Sequence, residues 1–303
     1  MNKTDTQYRP LRTSAELSGI AVRQKTWQPP VDLAEYVIEF WEYELAPGLD
    51  SVPVQVFPSG CLSMRFNINS MGVEPVLYGP SLRSKMRGWF YHDWTICGAA
   101  LHPQKGYHLL GLSLSELQNL RIQFDCFWPQ ATRRVCEQIA ETISFEQRVT
   151  VMSNFLREII REDVAPSSSF LNAYHDILGQ APGNLEIRDV AAQAGTHGRA
   201  LRRQFSKYLG ISPKQTDRML RVQQAIQQLS CNPNISLATL AINLGFSDQP
   251  HFTREFKAFT SCSPSEFATR VGRFNYRELD IWAGMDPERN RYRKPPPVVR
   301  FEM

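Results

Sequence analysis

The sequence has no apolar run near the roughly 20 residues that a membrane-spanning helix needs. Its first residues, MNKTDTQYRPLRTSAELSG, lack the apolar segment of a secretion signal, so a cytoplasmic location is expected. The six cysteines form no C-x-x-C pair, which favours reduced thiols over a zinc site or a redox dithiol. The G-x-S-x-G, G-x-G-x-x-G and P-loop motifs are also absent. We therefore expect no cofactor, no metal, no membrane contact and no enzymatic activity.

Composition and charge divide the chain into unequal halves. With 303 residues, 42% hydrophobic and 21% charged, the chain has the composition of a folded globular protein and is long enough for two domains. Residues 1–166 carry 16 Lys and Arg against 18 Asp and Glu, whereas residues 167–272 carry 11 against 7. The C-terminal half is therefore the basic half, as expected of a segment that meets an acidic polymer.

The N-terminal half shows the alternation that is typical of strands. Apolar residues recur at every second position on both sides of Pro58-Ser59-Gly60 in residues 52–69, which predicts a hairpin with one buried face. Further strands are expected at 75–79, 85–91 and 94–101. Pro103 and Gly111 then bound a predicted helix.

From about residue 128 the spacing becomes helical. In residues 144–160 five apolar side chains fall on one helical stripe, and this helix either packs on its own domain or forms a dimer contact. The stripe consists of Phe145, Val149, Met152, Leu156 and Ile159. APSSS at 165–169 reads as a linker, and an Arg-rich tail with three prolines follows Gly272.

The basic half contains an internal repeat. Ala191 and Gly195 match Ala241 and Gly245 at an offset of 50, and Arg203, Phe205, Ser212 and Pro213 match Arg254, Phe256, Ser263 and Pro264 at an offset of 51. Each copy reads as a helix, a short glycine-containing turn and a second helix, which is the helix-turn-helix plan. A long helix over about 213–229 is expected to join the copies.

The second helix of each copy has an apolar and a polar face. At 100° per residue, Phe252, Phe256 and Phe259 form one stripe in the second copy, and Leu201, Phe205 and Tyr208 form one in the first. The opposite arcs carry Arg, Lys, Ser and Thr. A solvated surface is the simpler interpretation of one such helix, but the duplication favours nucleic-acid binding, because Arg can grip guanine and Gln can read adenine in the major groove.

Residues 167–272 resemble the DNA-binding domain of AraC-type bacterial transcription regulators. The matching stretches are VAAQAGTHGRALRRQFSKYLGISP and LAINLGFSDQPHFTREFKAFTSCSPSEF. The resemblance implies a multidomain α+β chain, with a β-rich sensor or dimerisation domain and following helices at 1–164. An all-α DNA-binding domain with two helix-turn-helix motifs joined by a helix then occupies 165–272, followed by a basic tail at 273–303.

The resemblance also assigns roles to residues of both helices. The expected base contacts are Arg199, Arg202, Arg203, Gln249, Thr253 and Arg254. The outward arcs and the chemistry of their side chains add Ser206, Lys207 and Lys257 as phosphate contacts. Helix caps are expected from Asp248 and from Thr196 or His197. Pro250 departs from a position that often carries a polar residue in the family, and Ser261 departs from a usual glycine.

The resemblance implies four partners: double-stranded promoter DNA, RNA polymerase, a small-molecule effector and a second copy of the chain. Aromatic residues of the N-terminal half either line an effector pocket or fill the core. The candidates are Trp41, Tyr43, Phe57, Tyr78 and Trp89. Two alternatives stay open: a DNA-targeted repair enzyme that uses a reactive cysteine, and a regulator controlled by a protein partner.

Overall fold

A computed structural model describes residues 22–45, 50–56, 62–80, 85–161, 165–179 and 186–274. Its strands lie in the N-terminal half and its longer helices follow. The strands are β1 (Val22–Trp27), β2 (Val37–Leu45), β3 (Ser51–Val56), β4 (Ser63–Asn69), β5 (Gly72–Tyr78), β6 (Lys85–Tyr91), β7 (Thr95–Leu101) and β8 (Arg121–Gln123). No helix within these residues is long and apolar enough to cross a membrane.

The described helices range from 5 to 19 residues in length. They are α1 (Gly106–Leu110), α2 (Pro129–Ala140), α3 (Phe145–Ile159), α4 (Ser168–Gly179), α5 (Ile187–Gln193), α6 (Gly198–Leu209), α7 (Pro213–Cys231), α8 (Leu237–Asn243), α9 (Gln249–Thr260) and α10 (Pro264–Phe274). A 3-10 turn at Leu114–Leu117 follows α1. The predicted fold class, a β-rich part followed by an all-α part, is confirmed.

The strands form two antiparallel sheets. The larger has the order β1-β2-β7-β4-β5-β8, and the smaller consists of β3 and β6. One face of the larger sheet carries Phe40, Phe66 and Leu77, each at most 1% exposed, in a core with α2 and α3. The opposite face carries Trp41 of β2 and Arg65 of β4. In the strand register both residues lie opposite Gly98 of the central strand β7, one on each side of it.

The predicted hairpin over 52–69 is wrong, although both of its strands exist. β3 pairs with β6, whereas β4 pairs with β5 and β7 in the other sheet. Alternation shows which face of a strand is buried but not which strand lies beside it. Pro53, opposite Trp89, has no N–H for a ladder bond, which suits β3 to a sheet edge.

The apolar stripe of α3 is used within the chain. Phe145, Val149, Met152, Leu156 and Ile159 are all buried in the N-terminal core. Of the two interpretations of this helix, packing on its own domain is therefore the one that the structure supports.

A second core holds the helical part together. All helices from α4 to α10 contribute side chains to this core. At its centre lie five phenylalanines, each at most 2% exposed: Phe170, Phe205, Phe252, Phe256 and Phe267. The division at residues 164 and 272 stays a prediction, because residues 162–164 and 275–303 lie outside the described part of the chain.

Candidate DNA-binding surface

The two helix-turn-helix copies have the same backbone geometry. After α5, Gly195 takes φ +66° and the Thr196 N–H donates to Ala191 O at 2.8 Å. After α8, Gly245 takes φ +70° and the Phe246 N–H donates to Ala241 O at 2.9 Å. In each copy this hydrogen bond ends the first helix of the motif, and the glycine that it spans has a left-handed backbone. The repeat seen in the sequence is therefore a repeat of structure.

The second helix of each copy buries its predicted stripe. Leu201, Phe205 and Tyr208 of α6 are at most 7% exposed, and the three phenylalanines of α9 are at most 4% exposed. Full burial of one such side chain is worth about 1.5–3 kcal/mol. Rotating either helix by half a turn would therefore cost about 5 kcal/mol or more, which fixes the face that each helix presents.

The opposite faces carry positive charge. The exposed side chains are Arg199, Arg202, Arg203, Lys207, Gln249, Arg254 and Lys257, and those of Ser206 and Thr253 are half-buried. These are the nine predicted contact residues, and the two helices bring them together as two sets, one on α6 and one on α9.

The cations of these faces differ from those inside the domain. Arg218 and Arg221 of α7 are paired with Glu255 and Asp217. Within the described residues, Arg199, Arg202, Arg203, Arg254 and Lys257 form no ion pair. Self-compensating charge is typical of a merely solvated surface, whereas unpaired cations aligned on one face are suited to an external anion.

Two arginines that the sequence analysis missed position the second motif. Arg218 donates two hydrogen bonds to Glu255 of α9, at 2.6 and 2.9 Å, and lies 5.5 Å from the Phe259 ring centre. Arg221 lies 4.8 Å from the Phe246 ring centre and donates to Gly245 O at 3.4 Å. The Asp217–Arg221 spacing of four residues was the only signal in the sequence, since Glu255 lies 37 residues from its partner.

The two recognition helices begin differently. Asp248 is the N-cap of α9, and its carboxylate accepts the His251 N–H at 2.6 Å. His197 is the N-cap of α6, but no side-chain hydrogen bond caps this helix. His197 thus occupies the predicted cap position without a side-chain bond, and Thr196 lies one residue before it, outside the helix. Pro250 lies in the first turn of α9, where its missing N–H costs little.

The structure describes the positions of four of the five aromatic residues proposed for an effector pocket. Trp41 and Tyr43 lie on the sheet face opposite the N-terminal core, with ring centres 5.0 Å apart. Tyr78 lies on the same face, and the Arg65 guanidinium is 5.6 Å from its ring centre. Trp89 is in β6 opposite Pro53, and Phe57 lies outside the described residues. The rings of Trp41, Tyr43 and Tyr78 are half-buried and belong to neither hydrophobic core.

Comparisons with known proteins agree with this geometry. Two family profiles match, "Helix-turn-helix domain" over residues 190–270 and "Domain of unknown function (DUF6597)" over residues 25–123. The chain is 24% identical over 272 residues to the HTH-type transcriptional activator RhaR of Mannheimia succiniciproducens, covering 84% of this chain and 94% of that relative.

Two further proteins show shorter similarities. The chain is 38% identical over 87 residues to the arabinose operon regulatory protein of Escherichia coli, which is 29% of this chain and 30% of the relative. A solved AraC-type regulator from Chromobacterium violaceum aligns with 35% of this chain and 93% of its own length, at 26% identity and a TM-score of 0.32. Two helix-turn-helix motifs on one core define a DNA-binding protein. Residues 190–270 match a helix-turn-helix family, and the chain is similar to AraC-type transcription regulators.

The unequal caps predict unequal effects of substitution. Asp248→Ala should lower the free energy of unfolding by about 1 kcal/mol, and His197→Ser should raise it by about 0.5–1 kcal/mol, because Ser is a good N-cap acceptor for the extended backbone at this position. Denaturant unfolding of the full chain measures both. Asp93→Ala removes an exposed carboxylate in the turn between β6 and β7, outside any helix, and serves as the control. A loss of stability in His197→Ser would contradict the reading of α6 as uncapped.

Proposed function

We propose that the chain binds promoter DNA with α6 and α9 in successive major grooves on one face of the duplex. The observation that carries this proposal is the unpaired positive face on both helices of one rigid domain. Two recognition elements on the same face of B-DNA are separated by about 34 Å, one helical turn. A single shared core suits this arrangement, because it fixes one helix relative to the other.

The side chains divide into two roles. Arg199, Arg202 and Arg203 on α6 have the planar fork that pairs with guanine O6 and N7, and Gln249, Thr253 and Arg254 offer complementary donors and acceptors on α9. Ser206, Lys207 and Lys257 lie nearer the helix C-termini and are suited to phosphates, which hold the protein in register without reading sequence. Half-buried Arg218 and Arg221, which are paired with Glu255 and Asp217, belong to neither role.

The N-terminal domain supplies the signal in this proposal. Trp41, Tyr43 and Tyr78 offer aromatic surface to a small-molecule effector on the sheet face that carries Arg65. The effector would act by favouring one arrangement of the two domains. We further propose activation of transcription in the cytoplasm, with RNA polymerase and a second copy of the chain as partners, because the relative with the longest match is named an activator.

The repair-enzyme alternative has less support. Burial raises the pKa of Cys97 above its ordinary range and that of Cys136 to about 11, so both thiols stay protonated at neutral pH. Cys262 is buried behind α9 and belongs to its core. These three cysteines offer no accessible thiolate, and the exposed Cys126 and Cys231 lie in neither α6 nor α9.

Removal of one base-reading arginine should blur specificity at one position. Arg203→Ala or Arg254→Ala is expected to weaken binding to the correct site by about 1–3 kcal/mol and to relax the preference at one base each. A panel of duplexes with every single-base change measures the effect. Arg133→Ala, an exposed arginine on α2, removes the same charge outside the helical domain and should leave the panel unchanged. An unaltered preference in both recognition variants would argue against base contact.

Removal of a phosphate-binding lysine should act on all sequences alike. Lys257→Ala is expected to lower affinity for specific and unrelated duplexes by the same factor and to reduce the slope of log K against log salt by about 0.9. Titrations at four or five salt concentrations measure that slope, again with Arg133→Ala as the control. A slope equal to that of the unaltered protein would remove Lys257 from the interface.

A further inference from the structure

The C-terminal end of α6 lies against the N-terminal domain. We name this the docking contact: Pro80, Tyr107 and Leu114 on one side, and Lys207, Tyr208 and Gly210 on the other. Tyr107 of α1 is 9% exposed and is buried in the core of the DNA-binding domain. Its ring meets that of Tyr208 edge-on, with centres 5.0 Å apart and an interplanar angle of 88°. A side chain of one domain thus completes the core of the other.

Gly210 shows how closely the two backbones approach. It ends α6 in the left-handed region at φ +73° and is buried. A Cβ placed on it would lie 2.6 Å from the Leu114 carbonyl oxygen and 3.2 Å from Pro80 Cγ. Only glycine therefore fits this position while the domains are in contact.

The second copy of the motif provides an internal comparison. At the repeat offset of 51, Lys207 and Gly210 correspond to Ala258 and Ser261. Ser261 ends α9 with nearly the same backbone, at φ +65°, yet is exposed. The motif therefore forms without a lysine or a glycine at these positions, and the first copy differs where it meets the N-terminal domain.

Lys207 is held by the docking contact. Its Nζ lies 4.7 Å from the Tyr107 ring centre and 5.1 Å from that of Tyr208. A hydrogen bond with the Tyr107 side chain raises the pKa of Lys207 above its ordinary value, because the bond favours the charged form. On the helix, Lys207 lies only about 40° from Arg203, one turn away on the outward arc.

We propose that the N-terminal domain and DNA compete for Lys207, so that the docking contact withholds one phosphate contact from the first recognition helix. The inference rests on the proposed function, in which Lys207 is a phosphate ligand. The Lys207 side chain is exposed, but its ammonium group lies beside two rings and is hydrogen-bonded to Tyr107, so part of its charge is directed at protein. Extension to a phosphate would break the ring contacts and that bond. Opening of the contact then adds one cation to the DNA-binding face.

The position of the contact connects it to the proposed effector site. Pro80 lies two residues after Tyr78, at the end of β5. The Gly79 N–H donates to Leu120 O at 3.1 Å, and the Asn119 N–H donates to Pro80 O at 2.9 Å. These bonds attach the segment after Leu114–Leu117 to the strand end. A ligand that displaces the Tyr78 end of β5 would therefore move Pro80 and Leu114 relative to Gly210.

The test is a double-mutant cycle in the full chain, using Tyr107→Leu, Lys207→Ala and their combination, with duplex DNA that carries the binding site. Leu keeps apolar volume but removes the ring. Tyr107→Leu should tighten binding several-fold and steepen the salt slope by about 0.9, because one more phosphate is neutralised. Lys207→Ala should remove that gain in the Tyr107→Leu background and change binding less in the unaltered background. An equal effect of Lys207→Ala in both backgrounds would overturn the competition.

Two further comparisons separate competition from damage to the fold. Tyr107→Phe keeps the ring but removes the hydrogen bond to Lys207, so it should steepen the salt slope less than Tyr107→Leu does. Gly210→Ala should reproduce the steeper slope, whereas Gly72→Ala should not. Both glycines have a positive φ, but Gly72 is the first residue of β5, outside the helix-turn-helix motifs, and nothing lies within 4 Å of a Cβ on it. Equal slopes for the two alanine variants would count against the docking contact, and thermal melting of each variant identifies any that does not fold.

The proposal and the function on which it rests can fail separately. If Arg203→Ala and Lys257→Ala weaken binding as expected while the Tyr107–Lys207 cycle is additive, only the competition is wrong. If none of these variants changes DNA binding, the proposed DNA-binding surface is wrong as well.

Discussion

Burial of an aromatic stripe from each recognition helix in one shared core is the interaction on which the rest of the domain depends. Phe205 of α6 and Phe252 and Phe256 of α9 are each 0% exposed. Because these rings fix the rotation of each helix about its axis, the side chains on its opposite face must point away from the core. The same core also fixes the separation of the two helices, which a protein that reads two adjacent grooves requires.

Charge is distributed according to this packing. Inside the domain, Arg218 is neutralised by Glu255 and Arg221 by Asp217, and both arginines also lie against phenylalanine rings. On the outward arcs the cations of the described residues have no acidic partner, except that Lys207 is held by tyrosines. The modest net charge of +4 thus understates the positive charge that these outward arcs carry.

The sequence predicts local features well and distant ones poorly. The buried stripes and the Asp248 cap depend on spacings of a few residues, which the backbone enforces, and the repeat is visible as matching residues at offsets of 50 and 51. The pairing of β3 with β6, the bond from Arg218 to Glu255 and the burial of Tyr107 beside Tyr208 each join residues tens of positions apart. Periodicity identifies a buried face but not what covers it, so the docking contact could not be expected from the sequence.

In the proposed mode of binding, one shared core holds the two recognition helices at a fixed spacing. This is tested most directly by measuring the affinity of the protein for duplexes in which the two half-sites are moved apart. Insertions of 5 and of 10 base pairs should both weaken binding by at least about tenfold, because a shared core cannot stretch and one set of base contacts is lost. Unchanged affinity for the 10-base-pair insertion would show that the two motifs bind independently and would contradict this account.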